Sequence, residues 1–186
     1  MTTSLPWRFR HATLEDVPAI VALVNECYRG DSSRGGWTTE AELLEGGIRT
    51  DADEIRACIE RDRSVVLLAE DGGALVACAH VAATAADDAA TFGMFAVEPA
   101  RQRGGGGKAV LAEAERIARD RWQLAVMRLQ VIDVRTELLA FYERRGYVRT
   151  GIKEPFPSDQ HQFGVPRRAD LRFELLEKRL APFSAP

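Results

Sequence analysis

The sequence predicts an α/β chain of the α+β kind, one domain over residues 1–186, and three observations carry that prediction. Seven short segments are apolar or alternate in strand fashion, with amphipathic helical segments between them. Asp71-Gly72-Gly73 between two apolar runs marks an antiparallel hairpin. Four successive glycines, residues 104–107, lie between an apolar strand and an amphipathic helix. The 186 residues can bury a real core, and 46% hydrophobic with 28% charged residues are ordinary globular values.

In chain order, residues 7–12 alternate as a strand. Thr13, with Asp16 three residues on, reads as a loose capping box for a helix over 14–28, whose apolar series is Val17, Ile20, Val21, Leu23 and Val24. Residues 30–36 are polar and glycine-rich, hence a loop. Thr38 or Thr39 would cap a helix over about 37–44, and Thr50 or Asp51 another to about Asp62. Residues 64–70 and 74–84 form the hairpin strands, and Asp87-Asp88 turns the chain into a strand at 91–97. A helix over about 106–121 follows, with Val110, Leu111, Ala114, Ile117 and Ala118 on one face. Residues 124–132 read as a strand, 135–145 as a helix and 147–152 as a strand. Residues 155–168 read as an irregular insert and 171–180 as the last strand.

The glycine segment carries the chemistry. Without β-carbons, a phosphate can approach the N–H groups that a helix start leaves unpaired. The helix dipole adds partial positive charge there, and Arg101, Arg103 and Lys108 add full charges. A Walker loop is excluded, because Gly107-Lys108 is followed by Ala109 and the leading glycine position is Gln102. A Rossmann fingerprint is excluded because Val110 stands at its last glycine position. Gln102-x-x-Gly105-x-Gly107 after Glu98-Pro99 resembles the pyrophosphate loop of the GNAT family of N-acetyltransferases. Downstream, Ala140-Phe141-Tyr142-Glu143-Arg144-Arg145-Gly146-Tyr147 resembles that family's second signature, a helix ending at a glycine before an aromatic strand start. The residues agree, since cations occupy the last turn and Gly146 suits a left-handed stop.

The resemblance covers nearly the whole chain and implies a GNAT fold: a central, mixed, mostly antiparallel sheet of six to seven strands flanked by helices. It implies acetyl-CoA as co-substrate, with no metal, and a strand before the glycine loop that splays from its neighbour. Phe95, Ala96 and Val97 would then contact pantetheine, while Gln102, Arg103, Gly104, Gly105, Gly106, Gly107, Lys108 and Ala109 would hold the pyrophosphate. The amide around Val97 would donate to the developing oxyanion, and Tyr142 would protonate the leaving thiolate. Direct attack by an amine in a ternary complex follows, the rate coming largely from proximity.

Two positions depart from the family pattern. Arg135 stands where many members have an asparagine; it either reaches a phosphate or sits at a helix start. Thr91 stands where a strand carboxylate often serves as base, which leaves Glu26, Glu40, His80 and Asp133 as open candidates. An acceptor pocket is expected from Glu26, Trp37, Glu40, Phe156 and His161, with Glu40 suited to a cationic amine. The expected acceptor is a small-molecule amine. A non-catalytic acyl-CoA sensor and a protein or peptide N-acetyltransferase are the alternatives, and a homodimer stays open.

A net charge of −3 argues against nucleic acid. Cys27, Cys58 and Cys78 share no C-x-x-C spacing and read as reduced thiols. With no signal-peptide pattern and no membrane-length apolar run, a cytoplasmic location is expected.

Overall fold

Residues 7–30, 40, 42–102, 104–157 and 164–181 are described by a computed structural model. The elements run in the order Arg8–His11 (β1), Val17–Arg29 (α1), Leu44–Glu45 (β2), Ala52–Glu60 (α2), Ser64–Asp71 (β3), Ala74–Ala83 (β4) and Ala90–Val97 (β5). Gly106–Arg116 (α3), Val126–Ile132 (β6), Thr136–Glu143 (α4), Val148–Pro155 (β7), Val165–Pro166 (β8) and Arg172–Arg179 (β9) complete the chain. One seven-stranded sheet has the order β1-β3-β4-β5-β6-β9-β7. Its neighbours are antiparallel except β5 and β6, which are parallel. The expected mixed, mostly antiparallel sheet with flanking helices is therefore present.

Period-two alternation builds two cores from one strand. On β3, Val65, Leu67 and Ala69 face α3 and α4, while Val66 and Leu68 face α1 and α2. Burial on both faces explains why these strands read as continuous apolar runs rather than alternating ones. On α1, Val17, Ile20, Val24 and Cys27 follow helical spacing and are almost wholly buried. Asp16 accepts from the Thr13 N–H at 2.8 Å, and one 3₁₀ turn, Leu14–Asp16, precedes the α-helix. Asp51 caps α2 by accepting from the Glu54 N–H at 2.8 Å. The helix expected to run to Arg121 becomes a π-turn over Ile117–Arg121, which keeps Ile117 and Ala118 inside.

Two expectations fail locally. The helix over 37–44 is not formed where the chain is described: Leu44–Glu45 pairs with Val165–Pro166 as a two-stranded ribbon. The same ribbon puts a strand inside the supposedly irregular insert, whose first residue, Pro155, ends β7. No helix of the described residues is long and apolar enough to cross a membrane.

Candidate active site

A bulge in β5 creates the site. Cys78 pairs with Ala96 and His80 with Gly93, so Met94 and Phe95 together oppose Ala79, and Met94 takes φ +46°. The extra residue inverts the alternation, bringing Phe92 and Phe95 to the same face with ring centroids 5.2 Å apart. Beyond this point β5 and β6 separate, because they pair only at Ala90–Met127 and Thr91–Arg128. β6 keeps its full register with β9, so a wedge opens between Phe92–Phe95 on one wall and Gln130, Val131 and Ile132 on the other. The Phe95 and Val97 carbonyls accept from Tyr28 Oη at 2.8 Å and Gln102 Nε2 at 2.9 Å.

Helix α4 divides this wedge by its own periodicity. Glu137, Ala140, Phe141 and Arg144 face a cleft of about 530 Å³ that also takes in Gln102, Gly105, Gly107, Lys108 and Arg145. Leu138 and Tyr142 face the other way, into a cavity of about 270 Å³ bounded by Tyr28, Phe92, Phe156 and Phe173. Phe156, expected in the acceptor pocket, stacks on Phe173 at 5.1 Å.

In the cleft the glycines have separate reasons. Gly105 sits at φ +83° immediately before α3, a left-handed position that favours glycine. A β-carbon on Gly106 would lie 1.9 Å from the Trp7 ring, so Gly106 serves helix packing rather than the cleft. Gly104 is exposed and Ala109 lies inside the first turn, bonded to the Gly105 carbonyl at 3.1 Å; neither lines the cleft. The first-turn N–H groups of α3 have no intrahelical acceptor and point where an anion would sit. Arg101, counted as a loop charge from sequence, is drawn away by Asp71 and by Glu98 at 3.7 Å. Cations just past the end of α4 replace it: Arg144, and Arg145 stacked 3.5 Å over Phe141. With Lys108 these three cations face one carboxylate, Glu137, which suits a polyphosphate. Arg103 lies outside the described residues.

In the cavity, Tyr142 is buried within an aromatic cluster, at 6.4 Å from Phe92 and 5.7 Å from Tyr147. Burial pushes its phenol well above the usual tyrosine range, so it keeps its proton. Tyr28, also buried, is pushed up to about 12. Glu40 is only 7% exposed and bonds Arg29 at 2.7 Å and Arg135 at 3.4 Å, a buried pair rather than an available carboxylate. Arg135 stands at the start of α4, the second of its two expected places, and lines this cavity rather than the glycine cleft.

The other candidates lie elsewhere. Glu26 is exposed with its carboxylate against Gly30, and it does not line the cavity. Asp133 is paired with Lys153 at 2.9 Å. Burial first, and then Arg61, lower His80 to about 4; Ser64 lies 2.8 Å from its Nε2 and Cys58 3.8 Å from its Nδ1. The Thr91 hydroxyl donates to the Ala82 carbonyl. Trp37 and His161 lie outside the described residues. Arg49 and Glu54, which line the cavity, were missed. Asp51 and Glu54 read as ordinary helix-start acids, and no periodic signal marks Arg49.

The sequence profile of the Acetyltransferase (GNAT) family matches residues 18–147. A comparison with curated proteins finds no match. Among solved structures, yncA from Salmonella typhimurium, determined with acetyl-CoA, superposes with a TM-score of 0.68 at 19% identity, covering 97% of each chain. A ribosomal-protein-alanine N-acetyltransferase from Brucella melitensis gives 0.68 at 22% identity, covering 93% of this chain and 99% of its own. A spermidine N-acetyltransferase SpeG chimera from Vibrio cholerae and hSSAT gives 0.68 at 15%, covering 95% and 96%. Identities this low speak for the fold alone. The matched profile, however, takes in both β5 with its glycine turn and α4 with its tyrosine, so the chain belongs to the GNAT family and is an acetyltransferase that uses acetyl-CoA as co-substrate.

Proposed function

We propose that the acceptor is the primary amine of a small molecule, which attacks the thioester carbonyl directly while both substrates are bound. Acetyl-CoA supplies an activated thioester when bound. The observation that carries the proposal is α4 as a party wall, with an anion-suited cleft on one side and a small aromatic cavity on the other. At about 270 Å³ the cavity suits a small molecule better than a folded chain segment.

The first-turn amides of α3 and Lys108, Arg144 and Arg145 hold the pyrophosphate, and Phe95 and Val97 present backbone groups to the pantetheine arm. Val97 offers its N–H where negative charge develops. Tyr142 keeps its proton through burial and passes it from Oη to the departing sulfur. Among the described cavity residues Glu54 is a carboxylate without an arginine pair; its Oε2 accepts only from Thr50 Oγ1, at 2.7 Å. It takes the amine's proton.

The test combines calorimetric titration with acetyl-CoA and thiol release against an amine panel. Tyr142→Phe is expected to bind acetyl-CoA and lose about 100-fold in kcat. An undiminished kcat removes Tyr142 from the acid role. Binding without thiol release from any amine favours the sensor reading, and no binding at millimolar cofactor ends the proposal.

A further inference from the structure

Arg49 is the cavity charge that the fold holds firmly and leaves without a bonded counter-ion among the described residues. Its backbone is clamped by Asn25 on α1: the Arg49 and Thr50 N–H groups donate to Asn25 Oδ1 at 2.6 and 3.2 Å, and Asn25 Nδ2 donates to the Thr50 carbonyl at 2.9 Å. Its guanidinium lies over the Tyr28 ring, 5.2 Å from the centroid, and the side chain lines the cavity. Among the described residues, the guanidiniums of Arg29, Arg49 and Arg135 and the carboxylates of Glu40 and Glu54 line the cavity. Glu40 is taken by Arg29 and Arg135, and Glu54 accepts from Thr50 instead of forming an ion pair with Arg49. Among the described residues Arg49 and Glu54 therefore line the cavity as opposite charges outside any ion pair, in surroundings where an unpaired charge is costly.

We propose that the acceptor amine carries its own carboxylate and that Arg49 binds it, so the substrates are amino acids or close relatives. The inference rests on reading the cavity as the acceptor site. A guanidinium edge matches a carboxylate through two parallel hydrogen bonds, which gives direction as well as charge. The other end of such a molecule, its ammonium, meets Glu54, so the two unmatched cavity charges complement one zwitterion. This moves the ammonium's partner from Glu40, expected from sequence to suit a cationic amine, to Glu54.

The test measures kcat/KM by thiol release for a set of α-amino acids, each beside its carboxamide and its decarboxylated amine. Acetyl-CoA binding is followed calorimetrically on the same samples. The carboxamide's amine is the weaker base and loses its proton more readily, so intrinsic reactivity works against the expected result. Wild-type protein is expected to favour the amino acid over its carboxamide by about tenfold or more. Arg49→Gln should bring that ratio toward one, mainly through KM, and Arg49→Lys should retain part of it. The inference is overturned if wild type treats acid and amide alike, if Arg49→Gln keeps the full preference, or if no member releases thiol while acetyl-CoA binds. In the first two cases the acetyltransferase stands, and in the third a panel of amines without carboxylates separates an acetyltransferase of other amines from a sensor. Loss of acetyl-CoA binding itself would instead bring down the underlying reading, and the inference with it.

Discussion

Adjacent glycines at the start of α3 answer to different forces, and substitution separates them. Gly106 has no room for a side chain, because Trp7 fills the space a methyl would need. Gly106→Ala is expected to destabilise the protein by about 1–3 kcal/mol through overpacking, read as a lower thermal midpoint. Trp7→Leu should relieve much of that loss in the double variant, whereas independent sites would simply add. Gly105→Ala meets a conformational penalty of about 1 kcal/mol at φ +83° and also places a methyl in the cleft, so it should weaken acetyl-CoA binding more than Gly106→Ala does. The glycine run was legible as an anion loop because strand, glycines and helix start are contiguous. The role of Gly106 was not, since Trp7 lies far away in sequence and no local pattern announces a tertiary clash.

The buried Glu40 pair is an element-scale device. It ties the end of α1, through Arg29, to Arg135 at the entry of α4, across the mouth of the wedge. Glu40→Gln leaves two arginines without their shared anion and is expected to cost about 2–4 kcal/mol, seen as a lower urea midpoint. Glu40→Gln combined with Arg135→Gln should cost less than the two single losses added together, which a double-mutant cycle in urea would measure. Equal and additive losses would show that the two side chains do not interact. Sequence periodicity placed α1, α3 and α4 because each buries several apolar residues on one face, and the cap at Thr50 or Asp51 placed α2. It could not see β2 and β8, two residues each, whose only reason to be strands is one another. The β5 bulge was equally hidden: nothing around Met94 departs from an apolar strand, yet its positive φ moves Phe95 to the face of Phe92 and opens the site.

Over the whole molecule, the central strands β3, β4 and β5 were legible because a sheet covered on both faces writes such strands as apolar runs, whereas β7 is exposed throughout. The same double cover buries a histidine and makes stability depend on pH. His80 titrates near 4 in the folded protein against 6.5 in the unfolded chain, chiefly because burial disfavours its charged form. Between those values the unfolded chain binds more protons, so stability falls as pH falls. His11, also lowered first by burial, acts with the same sign. Full stability is thus expected above about pH 6.5, with a decline toward pH 4 to which His80 contributes at most about 3 kcal/mol. A second decline follows, because hydrogen bonds from Arg10 hold the Asp16 carboxyl at about 2, below its ordinary 3.8. Protonating it costs stability as pH drops through that lower range. Urea unfolding from pH 8 to pH 3 checks this: His80→Gln should flatten the segment between pH 6.5 and 4 and leave the steeper loss below it. If the variant keeps the wild-type slope in that segment, the buried imidazole is not its source, and the ring of contacts among Cys58, His80 and Ser64 has no part in acid sensitivity.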